Sequence, residues 1–281
     1  MRYANFSNCF PVVTIVLIFL LAVSNAYAAK LPGRILYIET LEPGKSFLAV
    51  INPDGTGKRR LSPYFSNPVL PKAHGKLGLI GITNRTSSLN SEMFFLKPSH
   101  KKCQKLMDGG LFHGFSNSGN FFLFTLSDEK SPLMVFSIKQ KIFVKMSERR
   151  IVSANWSPDD NWIAATALME NGTTDLFLIS TKAQGIMNIT NTPQTNESFP
   201  VFASDGKHIA YITDKYGRSE IEFMNTTNRL SRRPLIVGLY PAVSPDDKWI
   251  CFESGNQIMI SRTNGLDQQV LCSGKTPIWI K

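Results

Sequence analysis

The sequence predicts an all-β protein, a six-bladed β-propeller whose blades each hold four strands. Three observations carry that prediction. Beyond Lys30 no long amphipathic helical pattern occurs. Instead, short apolar runs rich in Ile, Val, Phe and Tyr alternate with Gly, Asn, Asp and Pro at intervals of about ten residues, the rhythm of strands and turns. That rhythm recurs on a longer period of about 41 to 46 residues, with a shorter last step.

The longer period is clearest in the second half. ANWSPDDNWIAATA begins at Ala154, PVFASDGKHIAYIT at Pro200 and PAVSPDDKWICFES at Pro241. Trp156, Phe202 and Val243 hold one equivalent position, followed by a polar turn and an apolar strand. Weaker copies place Phe115 and Leu70 there, and TPIWIK begins a last copy with Trp279. Large residues such as Trp156, Phe202 and Trp279 suit the gap between stacked blades, where burial contributes about 1.5–3 kcal/mol each. The turn residues Asp159, Asp205 and Asp246 read as structural, because Asp bonds nearby backbone in tight turns.

A second strand-turn-strand signal follows in each unit, as in INPDGTGKRRLS from Ile51 and ISRTNGLDQQVL from Ile260. Each period therefore holds four short strands, called A to D here, which is the pattern of a propeller blade. The stretch from Gly33 to Ile38 looks like a B strand lacking an A strand. Pro277 to Ile280 looks like an A strand lacking a B strand. Joining the two closes the ring, gives six blades and removes the open edges that would template aggregation.

The N-terminus sets the expected compartment. Arg2 precedes an apolar run from Phe10 to Val23, and Ala26-Tyr27-Ala28 follows as a signal-peptidase site. Residues 1–28 are expected to be a cleaved signal peptide and 29–281 a single propeller domain. The run is shorter than the roughly 20 residues that span a bilayer, so no stable membrane insertion is expected after cleavage. Loss of Arg2 leaves 30 Lys and Arg against 21 Asp and Glu, a net +9 spread through many loops. Export makes nucleic acid an unexpected partner for that charge, and the reading is of a solvated basic surface. Cys103, Cys251 and Cys272 remain beyond the leader, an odd and irregular set that does not define a disulfide framework and leaves one bridge open.

WSPDD, SDGKHIAYIT, Glu197-Ser198-Phe199-Pro200 and the loop from Thr213 to Ile221 resemble the TolB-type repeat, also called the PD40 or WD40-like β-propeller repeat. The resemblance extends in period from Lys30 to Lys281 and is strong from about Ile151 onward. It implies an exported six-bladed propeller whose usual work is non-catalytic binding. In that family an N-terminal α/β domain precedes the propeller and engages an inner-membrane partner, while the propeller binds a peptidoglycan-associated lipoprotein. Here the leader runs straight into the first blade.

Chemistry-bearing motifs are few. His74, His100, His113 and His208 are scattered over turns and strand starts, so no metal site and no cofactor is expected. No G-x-S-x-G elbow, P-loop or dinucleotide fingerprint occurs. Asp159-Asp160 and Asp246-Asp247 recur in a repeated turn, whereas a general acid and base would be expected once. Asn-x-Ser/Thr triplets at Asn84, Asn155, Asn171, Asn188, Asn196 and Asn225 read as incidental.

The remaining candidate is the face that gathers the D-to-A and B-to-C loops. It is expected to present Glu170, Asn171, Asp175, Asn196, Glu197, Asp214, Lys215, Tyr216, Arg218 and Glu253, with Glu197 near the channel mouth. Tyr and Arg are favoured in binding hot spots. The functional expectation is a monomeric, non-enzymatic module of the bacterial periplasm or cell envelope, binding a protein or peptide there. The alternatives are a carbohydrate- or small-ligand-binding propeller, with or without lyase activity, using the central channel, and a secreted factor acting on other cells.

Overall fold

A computed structural model describes residues 31–281 except 88–89, 101, 129, 184, 229–231 and 281, and the side chains of 100 and 102 are also left aside. The expected signal peptide lies outside the described residues. Among these, 24 strands form six antiparallel four-stranded sheets arranged as a ring of blades.

The first blade is composite. β1 (Arg34–Glu42), β2 (Lys45–Ile51) and β3 (Arg59–Arg60) are completed by β24 (Lys275–Ile280), in the order β24-β1-β2-β3. Ile35 pairs with Trp279 and Leu36 with Ile278, so the expected closure by the C-terminal strand is the observed one. Trp279 Nε1 also donates to Pro32 O at 2.7 Å.

Blade 2 contains β4 (Pro68–His74), β5 (Leu79–Arg85), β6 (Ser91–Lys97) and β7 (Lys102–Asp108). Blade 3 contains β8 (Leu111–Phe115), β9 (Phe121–Thr125), β10 (Leu133–Ser137) and β11 (Ile142–Ser147). β12 (Ile151–Trp156), β13 (Trp162–Leu168), β14 (Thr174–Ser180) and β15 (Ile186–Asn188) form blade 4. β16 (Glu197–Phe202), β17 (His208–Thr213), β18 (Glu220–Asn225) and β19 (Arg232–Val237) form blade 5. β20 (Leu239–Val243), β21 (Trp249–Ser254), β22 (Gln257–Arg262) and β23 (Gln269–Ser273) form blade 6. The inner strands β24, β4, β8, β12, β16 and β20 meet in turn around the axis.

Apolar side chains fill the spaces between blades because each sheet would otherwise leave both faces wet. Trp156 is buried among Leu123, Leu133 and Val135 of blade 3 and Ile163 and Phe177 of its own blade. Phe202 packs likewise between Ala164 and Leu178 on one side and Ile209 and Tyr211 on the other. Val243 is half-buried against the cluster joining blades 5 and 6.

Leu70 does not hold the position expected of it. Ala73 pairs with Ile80 as Phe115 pairs with Phe122, Trp156 with Ile163, Phe202 with Ile209 and Val243 with Ile250. Leu70 instead sits at a β-bulge with φ 48°, directly before Pro71, matching Phe199 (50°), Tyr240 (51°) and Thr276 (46°), each followed by Pro. A bulge inserts an extra residue and shifts the register, so alignment on hydrophobicity alone lands three residues early. In that interface Phe65 and Phe94 supply the bulk, their ring centroids 5.7 Å apart.

Candidate functional site

Side-chain and loop hydrogen bonds separate two faces. On one, Asn171 Nδ2 of a B-to-C loop donates to Pro193 O of a D-to-A loop at 3.0 Å. Asn196 donates to both carboxylate oxygens of Asp214 at 2.7 Å, through its backbone N–H and its amide. On the other face A-to-B and C-to-D turns meet, as in Thr226 N to Lys207 O and Thr263 N to Lys248 O.

The residues expected on the loop face divide into two sets. Glu170, Asp214, Tyr216 and Arg218 are exposed. Glu197 and Glu253 lie beneath it, at 2% and 6% exposure. Two of the exposed residues, Tyr216 and Arg218, rest on buried carboxylates. Tyr216 Oη donates to Glu222 Oε1 at 3.1 Å and Arg218 Nε to Glu220 Oε1 at 2.7 Å. Tyr211 donates to the other oxygen of Glu222, and burial beside that carboxylate pushes the Tyr211 hydroxyl far up from its ordinary pKa.

Glu197 anchors the D-to-A loop ahead of blade 5. Thr192 Oγ1 lies 2.8 Å from both of its oxygens and Thr195 Oγ1 2.9 Å from one. Asp175, buried next to it, accepts from Asn188 Nδ2 at 2.6 Å and from Thr192 N at 3.0 Å. Burial raises the Glu197 carboxyl to about 7, with Asp175 adding to the push and the threonine hydroxyls opposing it. Glu253 accepts the amide of Thr276 at 2.9 Å, which ties blade 6 to the closing strand. Thr83 does the same for blades 2 and 3 by accepting from Phe112 N at 2.8 Å, so Glu253 occupies a stitching position.

The Asp residues of the repeated turn divide their work. Asp159 accepts from Ser157 Oγ at 2.6 Å and Asp246 from Ser244 Oγ at 2.5 Å, each capping its own turn. Asp205 does so through the amides of Lys207 and His208. The second Asp reaches the preceding blade. Asp160 accepts the amides of Asn117 and Ser118 at 2.5 and 2.8 Å, and Asp247 those of Ser204 and Asp205 at 2.6 and 3.0 Å. Three of the Asn-x-Thr triplets close local turns: Thr173 N and Oγ1 donate to Asn171, Thr227 N and Oγ1 to Asn225, and Thr190 N to Asn188.

The channel is the second candidate. The inner strands enclose a cavity of about 250 Å³ walled by Phe112, Phe199, Tyr240, Ile278, Trp279 and their neighbours. Lys72 is the one charged residue among its lining residues as described, with no Arg, Asp or Glu. His113 lies within β8 rather than just ahead of it. Its ring meets Thr125 Oγ1 at 3.2 Å, and burial next to Lys72 lowers its pKa to about 3. His74 bridges to Asn117 O at 3.0 Å, and His208 pairs with Asp205 at 2.6 Å. Among the described residues no group of three or more His, Cys, Asp or Glu could hold a metal ion. Cys103, Cys251 and Cys272 are free thiols. No helix of the described residues is long and apolar enough to cross a membrane.

A ring of six four-stranded sheets closed by its last strand defines the six-bladed β-propeller class. Within that class the chain has a TolB-like fold. It superposes on TolB from Acinetobacter baumannii with a TM-score of 0.77 at 17% identity, covering 93% of this chain and 71% of that one. A structure from Agrobacterium tumefaciens assigned as TolB gives 0.68 at 13% identity, covering 87% and 92%. An oligogalacturonate lyase in complex with manganese gives 0.56 at 10% identity, covering 86% and 74%. By sequence, no family model and no curated protein matches the chain.

Proposed function

We propose that this protein is an exported, non-catalytic binding module of the bacterial periplasm or cell envelope that engages a protein or peptide through the D-to-A and B-to-C loops of blades 4 and 5. The observation that carries the reading is the anchoring of exposed Tyr216, Arg218 and Asp214 on Glu222, Glu220 and Asn196. Side chains held before a partner arrives lose less conformational freedom on binding, and Tyr and Arg are the residue types that concentrate binding energy. Glu170 extends the surface, while Glu197 and Glu253 hold it from below. The leader sequence supports export, and the TolB-like fold supports a protein partner.

Affinity capture from the native envelope, followed by mass spectrometry, tests this. Tyr216→Ala combined with Arg218→Glu is expected to deplete the partner recovered with wild type. Equal recovery would overturn the assignment of the face. Fractionation and N-terminal sequencing test export, with a mature chain expected to begin at Ala29.

A further inference from the structure

We propose that the central channel is a carboxylate-binding site, in which the Lys72 ammonium pairs with the acid group and the aromatic and aliphatic walls take an apolar body. This goes beyond the loop-face reading and does not depend on it.

The argument starts from position. Lys72 pairs with Gly81, and the corresponding inner-strand residues of the other blades are Gly114, Asn155, Val201, Ala242 and Ile278. None of these is charged, so blade architecture does not call for a cation at this level. The Lys72 stem lies along Gly114 of the next blade, where a Cβ would stand 3.7–3.9 Å from its Cβ, Cγ and Cδ. Gly114 has φ 142°, a conformation that side-chain-bearing residues rarely adopt, so that wall stays open.

Chemistry points the same way. Lys72 makes no hydrogen bond or ion pair among the described residues. Desolvation lowers its pKa to about 8, which still leaves it largely charged near neutrality. Lys72 is half-buried on the channel wall, and an entering anion would meet there a cation with no competing carboxylate. His113 beside it stays neutral and does not compete as a cation. Thr276 Oγ1, on the same cavity, is buried and has no hydrogen-bond partner. One ammonium without an arginine fork suits a singly charged acid better than a phosphate, which draws on several donors. The walls are those of an apolar pocket with few polar groups, and about 250 Å³ suits a short body such as an aromatic or branched aliphatic acid. Such an acid group occurs on free metabolites and on the C-terminus of an apolar peptide.

Calorimetric titration with benzoate tests the site, with benzamide as the neutral counterpart. Benzoate is expected to bind saturably with a dissociation constant of about a millimolar or tighter, and benzamide at least about tenfold more weakly. Lys72→Met and Lys72→Gln are each expected to weaken benzoate at least about tenfold. A tripeptide ending in Phe, free or amidated at its C-terminus, distinguishes the sources: selective binding of the free form assigns chain ends, and benzoate binding alone assigns small acids. No saturable benzoate binding, equal binding of benzoate and benzamide, or full binding by both Lys72 variants would overturn the proposal.

Discussion

Where blades 2 and 3 meet, Phe95, Phe112, Phe115 and Phe122 pack ring against ring with centroids 5.0–5.9 Å apart. Where blades 5 and 6 meet, the Asp247 carboxylate grips two amides of the neighbouring turn above an aliphatic and aromatic cluster. The first junction joins non-directional packing to the neutral hydrogen bonds of Thr83 and His74, whereas the second adds charge-assisted hydrogen bonds at fixed geometry. Their coexistence in one ring teaches that a propeller needs cohesion between blades without needing one chemistry for it. Junction 3–4 uses both means, with Trp156 in the core and Asp160 at the turn.

Breaking each junction separately should expose the difference. Phe112→Ala is expected to have the largest effect, a loss of about 3–5 kcal/mol in denaturant unfolding, since it empties the centre of the aromatic cluster. Gly81→Ala approaches that from the opposite direction. Its Cβ would fall 2.1 Å from the Phe112 ring, and the overpacking should cost about 1–3 kcal/mol.

Asp247→Gly should cost less, about 1–2 kcal/mol. Asp247 has φ 60°, and Gly206 already fills the matching turn of blade 5 with φ 67°, so this exchange removes the carboxylate without straining the backbone. A shifted urea midpoint at unchanged slope would check it. A loss as large as that of Phe112→Ala would erase the distinction between the junctions.

Glu197→Gln sharpens the comparison through pH. The folded carboxyl titrates near 7 against an ordinary 4.5, so between those values the folded chain holds a proton that the unfolded chain releases. Stability therefore falls as pH rises through that window. Glu197→Gln is expected to flatten that slope and to exceed wild type above about pH 7, by a margin that vanishes below about pH 4.5, as read from urea midpoints across pH. The smallest effect should be that of Tyr216→Phe, about 1 kcal/mol or less from one solvent-accessible hydrogen bond.

Legibility from sequence follows the same division. Blades 4 to 6 announce themselves because the Asp turns are short, local and polar, with Asp159, Asp205 and Asp246 each bonding within its own turn. The contacts of Asp160 and Asp247 span 42 to 43 residues, and no local pattern reveals them. The junction of blades 2 and 3 is written in phenylalanines, which carry no register. Hydrophobicity alone therefore aligns Leu70 with Phe115, three residues ahead of Ala73, which holds the position in the strand pairing. The X-Pro step shared by Leu70, Phe199, Tyr240 and Thr276 was the available signal. Glu197 and Glu253 looked like surface residues because carboxylates usually are. Their partners, Thr192 and Thr195 for one and the Thr276 amide for the other, are set by loop path and ring closure rather than by periodicity.

The pairing of β24 with β1 also governs the order of assembly. Pro32 and Trp279 meet across 247 residues, one of the most distant contacts this chain can make. Until β24 reaches it, the sheet of β1 to β3 has a bare inner edge, and β24 is the last of the described strands in chain order. Contacts at such separation form slowly because the intervening chain must first be confined. Clasping of the first blade is thus the natural final step, and until then the partly folded protein is vulnerable to strand capture by its neighbours.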